Sequence, residues 1–243
     1  MTKTLGGMAI LFGMAITALP LRADTAMTLT SAGAGTVLDG VYTSPYTGTV
    51  GGVANTAVIC DDFADDSYVG ESWSATVSSV ASLAGNVKWG SETNAQQNYE
   101  IAAWLAEDLL STSNKTATED ISFAIWLSLD PGVASYLTST YSDPGTLAAA
   151  QGWIAAAQNA ITAQNLTAAD FANVLVYTPV AGTATISCNS GRCAANSPQE
   201  FLVVRTPEPG SLVLLLCGIL AVTGFAKRSR IATAAAGASA AVR

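Results

Sequence analysis

Histidine is missing from all 243 residues. That absence removes the side chain that most often serves as general base and metal ligand near neutral pH, and with it every Ser-His or Cys-His nucleophile pair. Basic residues are scarce too: ten Lys and Arg stand against eighteen Asp and Glu. Only Lys88, Lys115, Arg192 and Arg205 of the ten lie between residues 24 and 208, which hold all eighteen acids, so this stretch has a net charge of −14. A surface of that sign repels a phosphate backbone, because nucleic-acid binding rests on cationic contacts, and nucleic acid is excluded as a partner. Cysteine is limited to four residues. Nor does any apolar run reach the roughly twenty residues that a full transmembrane helix needs; the longest, residues 212–226, has fifteen.

The surroundings of that short run are informative. Thr206-Pro207-Glu208-Pro209 precedes it and Lys227-Arg228-Ser229-Arg230 follows it. Pro207 and Pro209 lack backbone donors and fix φ, so the motif stays extended instead of joining a helix or strand. A span this short, with Gly218 and Gly224 inside it, suits temporary retention better than permanent residence. The basic stop formed by Lys227, Arg228 and Arg230 is expected to stay cytoplasmic, which places the chain before Leu212 outside the inner membrane. At the other terminus Lys3, the apolar stretch 8–19 and Pro20-Leu21-Arg22-Ala23 have the order of a secretory signal peptide cleaved after Ala23. The plainer alternatives are an uncleaved anchor at one end and an ordinary membrane anchor at the other.

The order of extended motif, apolar segment and basic cluster resembles the C-terminal sorting signal of PEP-CTERM proteins. The resemblance implies an exosortase-type processing enzyme as partner, cutting at Pro207-Glu208-Pro209. It also implies transient residence in the inner membrane and delivery to the cell envelope, cell surface or extracellular matrix. The chain then divides into a signal peptide (1–23), an acidic extracytoplasmic domain (24–205), the sorting signal with its transmembrane helix (206–230) and a disordered tail (231–243).

Within 24–205 the hydrophobic period changes twice. Gly40 to Gly48 is rich in turn formers, 56–60 is a short apolar run suited to a buried strand, and 72–80 alternates with Trp73, Ala75 and Val77 on one face. From 94 to 110 the apolar residues recur at i+3, i+4 and i+7, predicting an amphipathic helix. A second helix is expected from Thr118 to before Pro131 and a third from Thr146 to about Ala163, with Thr167 and Asp170 capping a short extra turn. Strand patterns return at 173–178, 182–187 and 199–205. The fold class expected is α+β, with strands from both ends of the domain packed beside three central helices.

Cys188 and Cys193 bracket a Gly-containing loop between the last two strand patterns, and a disulfide there is expected if those strands pair as a hairpin. Cys60 is then a buried small hydrophobe, unless it pairs with one of the loop cysteines instead. Further motifs carry a second resemblance. Val58-Ile59-Cys60-Asp61-Asp62-Phe63, Gly70-Glu71-Ser72-Trp73, residues 99–105 and Phe123-Ala124-Ile125-Trp126 resemble, in this order, the bodies of PEP-CTERM proteins of unassigned activity. They are distantly similar to thioester domains of surface adhesins, which join a Cys to a Gln. The matching glutamine position here is Ser122, so that bond cannot form.

Asp61, Asp62, Asp65 and Asp66 form the densest charge cluster. Oxygen ligation of calcium is one reading, but the spacing lacks the alternation, central Gly and distal Glu of an EF-hand loop; a solvated acidic turn is the plainer one, and no cofactor is expected. Glycoside hydrolysis needs only two carboxylates, and Asp62 with Glu100 or Glu107 is a conceivable pair. Among the tryptophans, Trp104 and Trp126 fit a core, while Trp89 is the best exposed candidate for stacking on a sugar. The reading that follows is an exported, non-enzymatic surface or exopolysaccharide-matrix component, with extracellular polysaccharide as a partner and a secreted carbohydrate-active hydrolase as the alternative.

Overall fold

The computed structural model describes residues 24–33, 37–186 and 197–205. The fold is mixed helix and strand. Eight strands are present among the described residues: β1 (Thr25–Ser31), β2 (Val37–Leu38), β3 (Val41–Tyr42), β4 (Tyr46–Val50), β5 (Val53–Cys60), β6 (Ser72–Ser79), β7 (Val174–Pro179) and β8 (Phe201–Val204). Six of them close into an antiparallel barrel in the order β1-β4-β5-β8-β7-β6, and β2 pairs with β3 as a separate hairpin. Closure satisfies the edges that an open sheet would leave to pair with other chains.

Burial patterns follow from what lies on each side of the barrel wall. β1, β4 and β6 alternate, sending Met27, Leu29, Tyr46, Val50, Trp73 and Ala75 inward. In β7 and β8 consecutive residues are buried, because α1 packs against β8 while α2 covers β5. Strands covered on both faces read as continuous apolar runs, which explains 174–177 and 201–203. Phe201 closes the interior by stacking on Trp73 at 5.8 Å and meeting Tyr46 edge-on at 6.1 Å.

Helices α1 (Ala95–Ser111), α2 (Lys115–Leu129) and α4 (Pro144–Gln164) form the outer layer. A short α3 (Gly132–Ser135) runs into a π-helical turn, Tyr136–Thr140. Helix α2 begins three residues earlier than the Thr118 signal suggests, since the Asn114 side chain accepts from the amide of Ala117 and takes the cap. Asp143 caps α4 by accepting from Gly145 and Thr146, with Pro144 in the first turn. The expected Thr167–Asp170 capping box is present, on a 3₁₀ turn. No helix among the described residues is long and apolar enough to cross a membrane.

One strand pairing differs from expectation. Of the expected strand 182–187, Thr185 makes an isolated bridge to Ser72 and not to 199–205, and β8 lies between β5 and β7; Ser187 lies outside the described residues. Sequence neighbours compete with any better-matched apolar strand, and Val174–Tyr177 offers β8 a longer ladder. Cys188, Cys193, the segment 1–23, Pro207, Glu208, Pro209, Lys227, Arg228, Arg230 and the tail 231–243 lie outside the described residues.

Candidate functional site

Two neighbouring features gather the polar and aromatic side chains that the motifs singled out: a sealed carboxyl network and an open cleft beside it. Both are built on the segment that leaves β5. Asp62 turns the chain there, its Oδ1 accepting from the amides of Ala64 and Asp65 at 3.0 and 3.3 Å. This turn sends Asp61 and Asp62 into the protein, both with 0% exposure, while Asp66 faces solvent. The cluster is therefore not a solvated acidic turn. Alternation along an extended segment can bury carboxylates as readily as apolar groups when partners wait inside.

The partners come from four other parts of the chain. Lys88, in the loop between β6 and α1, donates its Nζ to Asp62 Oδ1 at 2.5 Å and to Asp65 Oδ2 at 2.7 Å. Glu200, directly before β8, is fully buried; Tyr99 of α1 donates to its Oε1 at 2.5 Å, the Lys88 amide to its Oε2 at 3.0 Å, and the Thr178 hydroxyl to Oε2 as well. The Glu200 amide in turn donates to Asp62 Oδ2 at 3.3 Å. Neither oxygen of Asp61 has a hydrogen-bond donor, and its carboxyl lies against that of Glu200.

Burial, then the charges of Glu200 and Asp62, push Asp61 well above the usual carboxylate range. Burial also raises Glu200, against the opposing donors Thr178 and Tyr99. Both buried carboxyls are thus pushed toward their neutral forms, Asp61 the further of the two. Burial raises Asp62 as well, with Lys88 pulling the other way. For Lys88 burial favours the neutral amine, but the hydrogen bonds and charges of Asp62 and Asp65 outweigh it, and its pKa rises. Lys88 is thus held as the ammonium between Asp62 and Asp65.

Cys60, the last residue of β5, is free and fully buried as expected, its Sγ donating to the Asp62 carbonyl at 3.1 Å. Burial and the neighbouring Asp62 and Asp61 push its thiol up, the opposite of an activated nucleophile. Ser122, at the position the adhesin resemblance assigns to a glutamine, lies close by. The Cys60 amide donates to Ser44 Oγ at 3.0 Å, the Ser44 amide to Ser122 Oγ at 3.1 Å, and Ser122 Oγ to the Thr118 carbonyl at 2.8 Å.

The open feature is a cleft of about 320 Å³ between the β2–β3 hairpin, the 61–70 segment and the corner from α2 to α3. Its aromatic wall contains Tyr42, Tyr46, Phe63, Trp126 and Tyr136, with Asp65 and Asp66 on its polar side. Phe63 meets Tyr136 edge-on at 4.7 Å and Trp126 at 5.2 Å. The hairpin turns at Asp39 and Gly40 with φ of 49° and 79°, the two positive angles of a type I′ turn. It is pinned by Tyr136, whose hydroxyl donates to the Asp39 carbonyl at 2.8 Å. Asp-Gly is a strong hairpin signal, so this wall was readable in the sequence, although the flanking strands are only two residues each.

The other candidates disperse. Glu100 accepts from Gln96 and Glu107 from Asn173, whereas Asp62 is held by Lys88, so neither glutamate joins it. The four aspartates of the cluster do not converge, and no metal-holding group occurs among the described residues. Trp126 is buried and Trp104 half-buried, in keeping with a core role. Trp89 is half-buried, its indole N–H sealed without a partner and Lys88 Nζ 5.5 Å from its ring centre; it is not an open stacking platform. Comparison with protein-family models, curated proteins and solved structures finds no match.

Proposed function

We propose that this is an exported protein sorted by an exosortase-type system, and that its 24–205 domain is a non-enzymatic component of the cell surface or exopolysaccharide matrix. The observation that carries the non-enzymatic reading is the fate of the perturbed carboxyls. Asp61, Asp62 and Glu200 have 0% exposure, with Asp62 tied to Lys88 and Glu200 to Tyr99 of α1, whereas a glycosidase needs two carboxylates reaching one sugar from opposite sides. The sorting reading rests on the order Pro207-Glu208-Pro209, apolar segment 212–226, then Lys227, Arg228 and Arg230. The finer architecture belongs to the same proposal: a signal helix before β1 and a short transmembrane helix after β8, flanking one α+β body.

The test is processing in a host that has an exosortase. Replacing Pro207, Glu208 and Pro209 with alanine is expected to leave the full chain in the inner membrane, while the parent appears shortened in the envelope or medium. Unchanged mass and location would overturn the sorting reading. Polysaccharide turnover lost on a single carboxylate substitution would replace the non-enzymatic reading with the secreted hydrolase.

A further inference from the structure

Resting on the matrix-component reading, we infer that the cleft between the β2–β3 hairpin and the 61–70 segment binds a saccharide bearing protonated amines, an amino-sugar chain, and rejects acidic polysaccharides. Shape, surface and charge each contribute. At about 320 Å³ the cleft falls at the lower end of the roughly 300–1,000 Å³ range of small-ligand sites. Its wall is lined by aromatic residues, and Tyr42 among them is 52% exposed, a side chain that pairs with the C–H faces of a pyranose ring and with cations held over the ring.

Charge selects among sugars. None of the described residues lining the cleft is basic, and Asp65 and Asp66 both line it. Among the described residues, Lys88 reaches the cleft through Asp65 and is already shared by Asp62 and Asp65, while the neighbouring Asp66 is exposed. A uronic-acid chain would bring more negative charge to a stretch that already carries −14. A protonated amine meets a free carboxylate and an aromatic wall at once, and long-range attraction speeds its approach. Ser67 and Gln199 also line the cleft: Ser67 Oγ accepts from the Gln199 backbone amide at 2.8 Å, and Gln199 Nε2 donates to the Asp62 carbonyl at 2.9 Å. Asp66 is thus the exposed carboxylate, and the aromatic lip the apolar surface, that the cleft offers the ligand.

The full chain, purified in a non-ionic detergent, can be titrated at physiological salt with four probes: glucosamine oligomers, their N-acetylated counterparts, a uronate oligomer and a lysine oligomer of matched charge. Tryptophan fluorescence and calorimetry report binding. Glucosamine oligomers are expected to bind saturably, with the N-acetylated oligomer weaker by about tenfold or more, the energetic equivalent of one lost charge contact. The uronate should not bind. Tyr42→Ala and Asp66→Asn, both at exposed positions, should each weaken binding about tenfold with an unchanged near-ultraviolet spectrum. Equal binding of the N-acetylated or uronate oligomer overturns the inference while leaving the matrix reading intact. Equal binding of the lysine oligomer, insensitivity to both substitutions, or no binding at all also overturns it. Sorting is read separately from membrane location, so the two proposals fail independently.

Discussion

Removing a charge from the interior should stabilise this protein, and more so as the pH rises. Asp61 is fully buried with no donor to either oxygen, and its carboxyl lies against Glu200. A buried polar group left without a partner costs about 1–3 kcal/mol, more when charged. Asparagine keeps the shape, carries no charge, and can donate to Glu200 without borrowing a proton. Asp61→Asn is therefore expected to raise stability by about 2 kcal/mol at pH 8, or roughly 4–8 °C in Tm for a domain of this size. The pH sign follows from burial raising the folded-state pKa of Asp61, and to a lesser degree that of Glu200. The folded protein binds more protons than the unfolded chain between the ordinary carboxylate pKa near 4 and those raised values, so wild-type stability falls as pH rises through that window. Asp143 and Asp170, whose pKa values are lowered chiefly by backbone amides at helix starts, act in the opposite sense, and only below that window. Self-repulsion of the acidic surface has the same sign as the buried pair but is screened in about 1 M salt, where the Debye length is about 3 Å. Urea unfolding of residues 24–205 at about pH 5 and 8, in high salt, separates the two contributions. A wild type that gains stability between those pH values, or an Asp61→Asn variant no more stable at pH 8, refutes the upward shift of the buried carboxyls.

Lys88→Met strands Asp62 with its charge; loss of one partner of a buried pair costs about 3–5 kcal/mol, and because the lysine is 24% exposed about 2 kcal/mol is expected here. Adding Asp62→Asn should recover more than half of that loss in the same unfolding assay, and a purely additive double mutant would show that the bridge contributes nothing. Cys60 should resist alkylation in a Cys188→Ser, Cys193→Ser background until urea unfolds the domain, as a sealed thiol with a raised pKa requires; labelling at the rate of an exposed thiol in the native state contradicts its burial. Gly40→Ala puts a Cβ 1.8 Å from the Tyr141 hydroxyl at a φ of +79°, so a loss of about 1–3 kcal/mol is expected, partly relieved by Tyr141→Phe.

Legibility varied with how local the physics was. Helices α1, α2 and α4 were visible because their apolar spacing repeats within a single turn, and the Thr167–Asp170 box because four adjacent residues specify it. β5 and β6 were legible as a buried run and an alternating strand. β1 was not: its sequence, Thr-Ala-Met-Thr-Leu-Thr-Ser, alternates weakly, and only Met27 and Leu29 turn inward. Barrel closure depends on β1 meeting β6 and β8 slipping between β5 and β7, pairings between residues far apart in sequence. The site was legible in its parts and not in its roles. Asp61 and Asp62 stood out as charged residues, yet their burial depends on Lys88, Tyr99 and Glu200 arriving from three distant elements. Glu200 carried no local signal beyond being an acid next to Phe201-Leu202-Val203-Val204, where an isolated charge beside a buried strand calls for a partner inside.

The same separation explains how so acidic a domain holds together and what it can still recognise. Of the inward carboxyls, Asp61 and Glu200 are pushed by burial toward their neutral forms, and Asp62 is balanced by Lys88. The formal charge of −14 therefore overstates what the interior bears, and it is the outward acids that set the field around the molecule. Lys88 sits at the boundary, facing Asp62 on one side and Asp65 on the other. By engaging Asp65 it leaves the neighbouring Asp66 as the carboxylate beside the aromatic wall, so the residue that stabilises the sealed network also fixes which charge the cleft presents. A substitution at Lys88 should consequently alter stability and ligand preference together, whereas Asp66 can be changed for its effect on recognition alone.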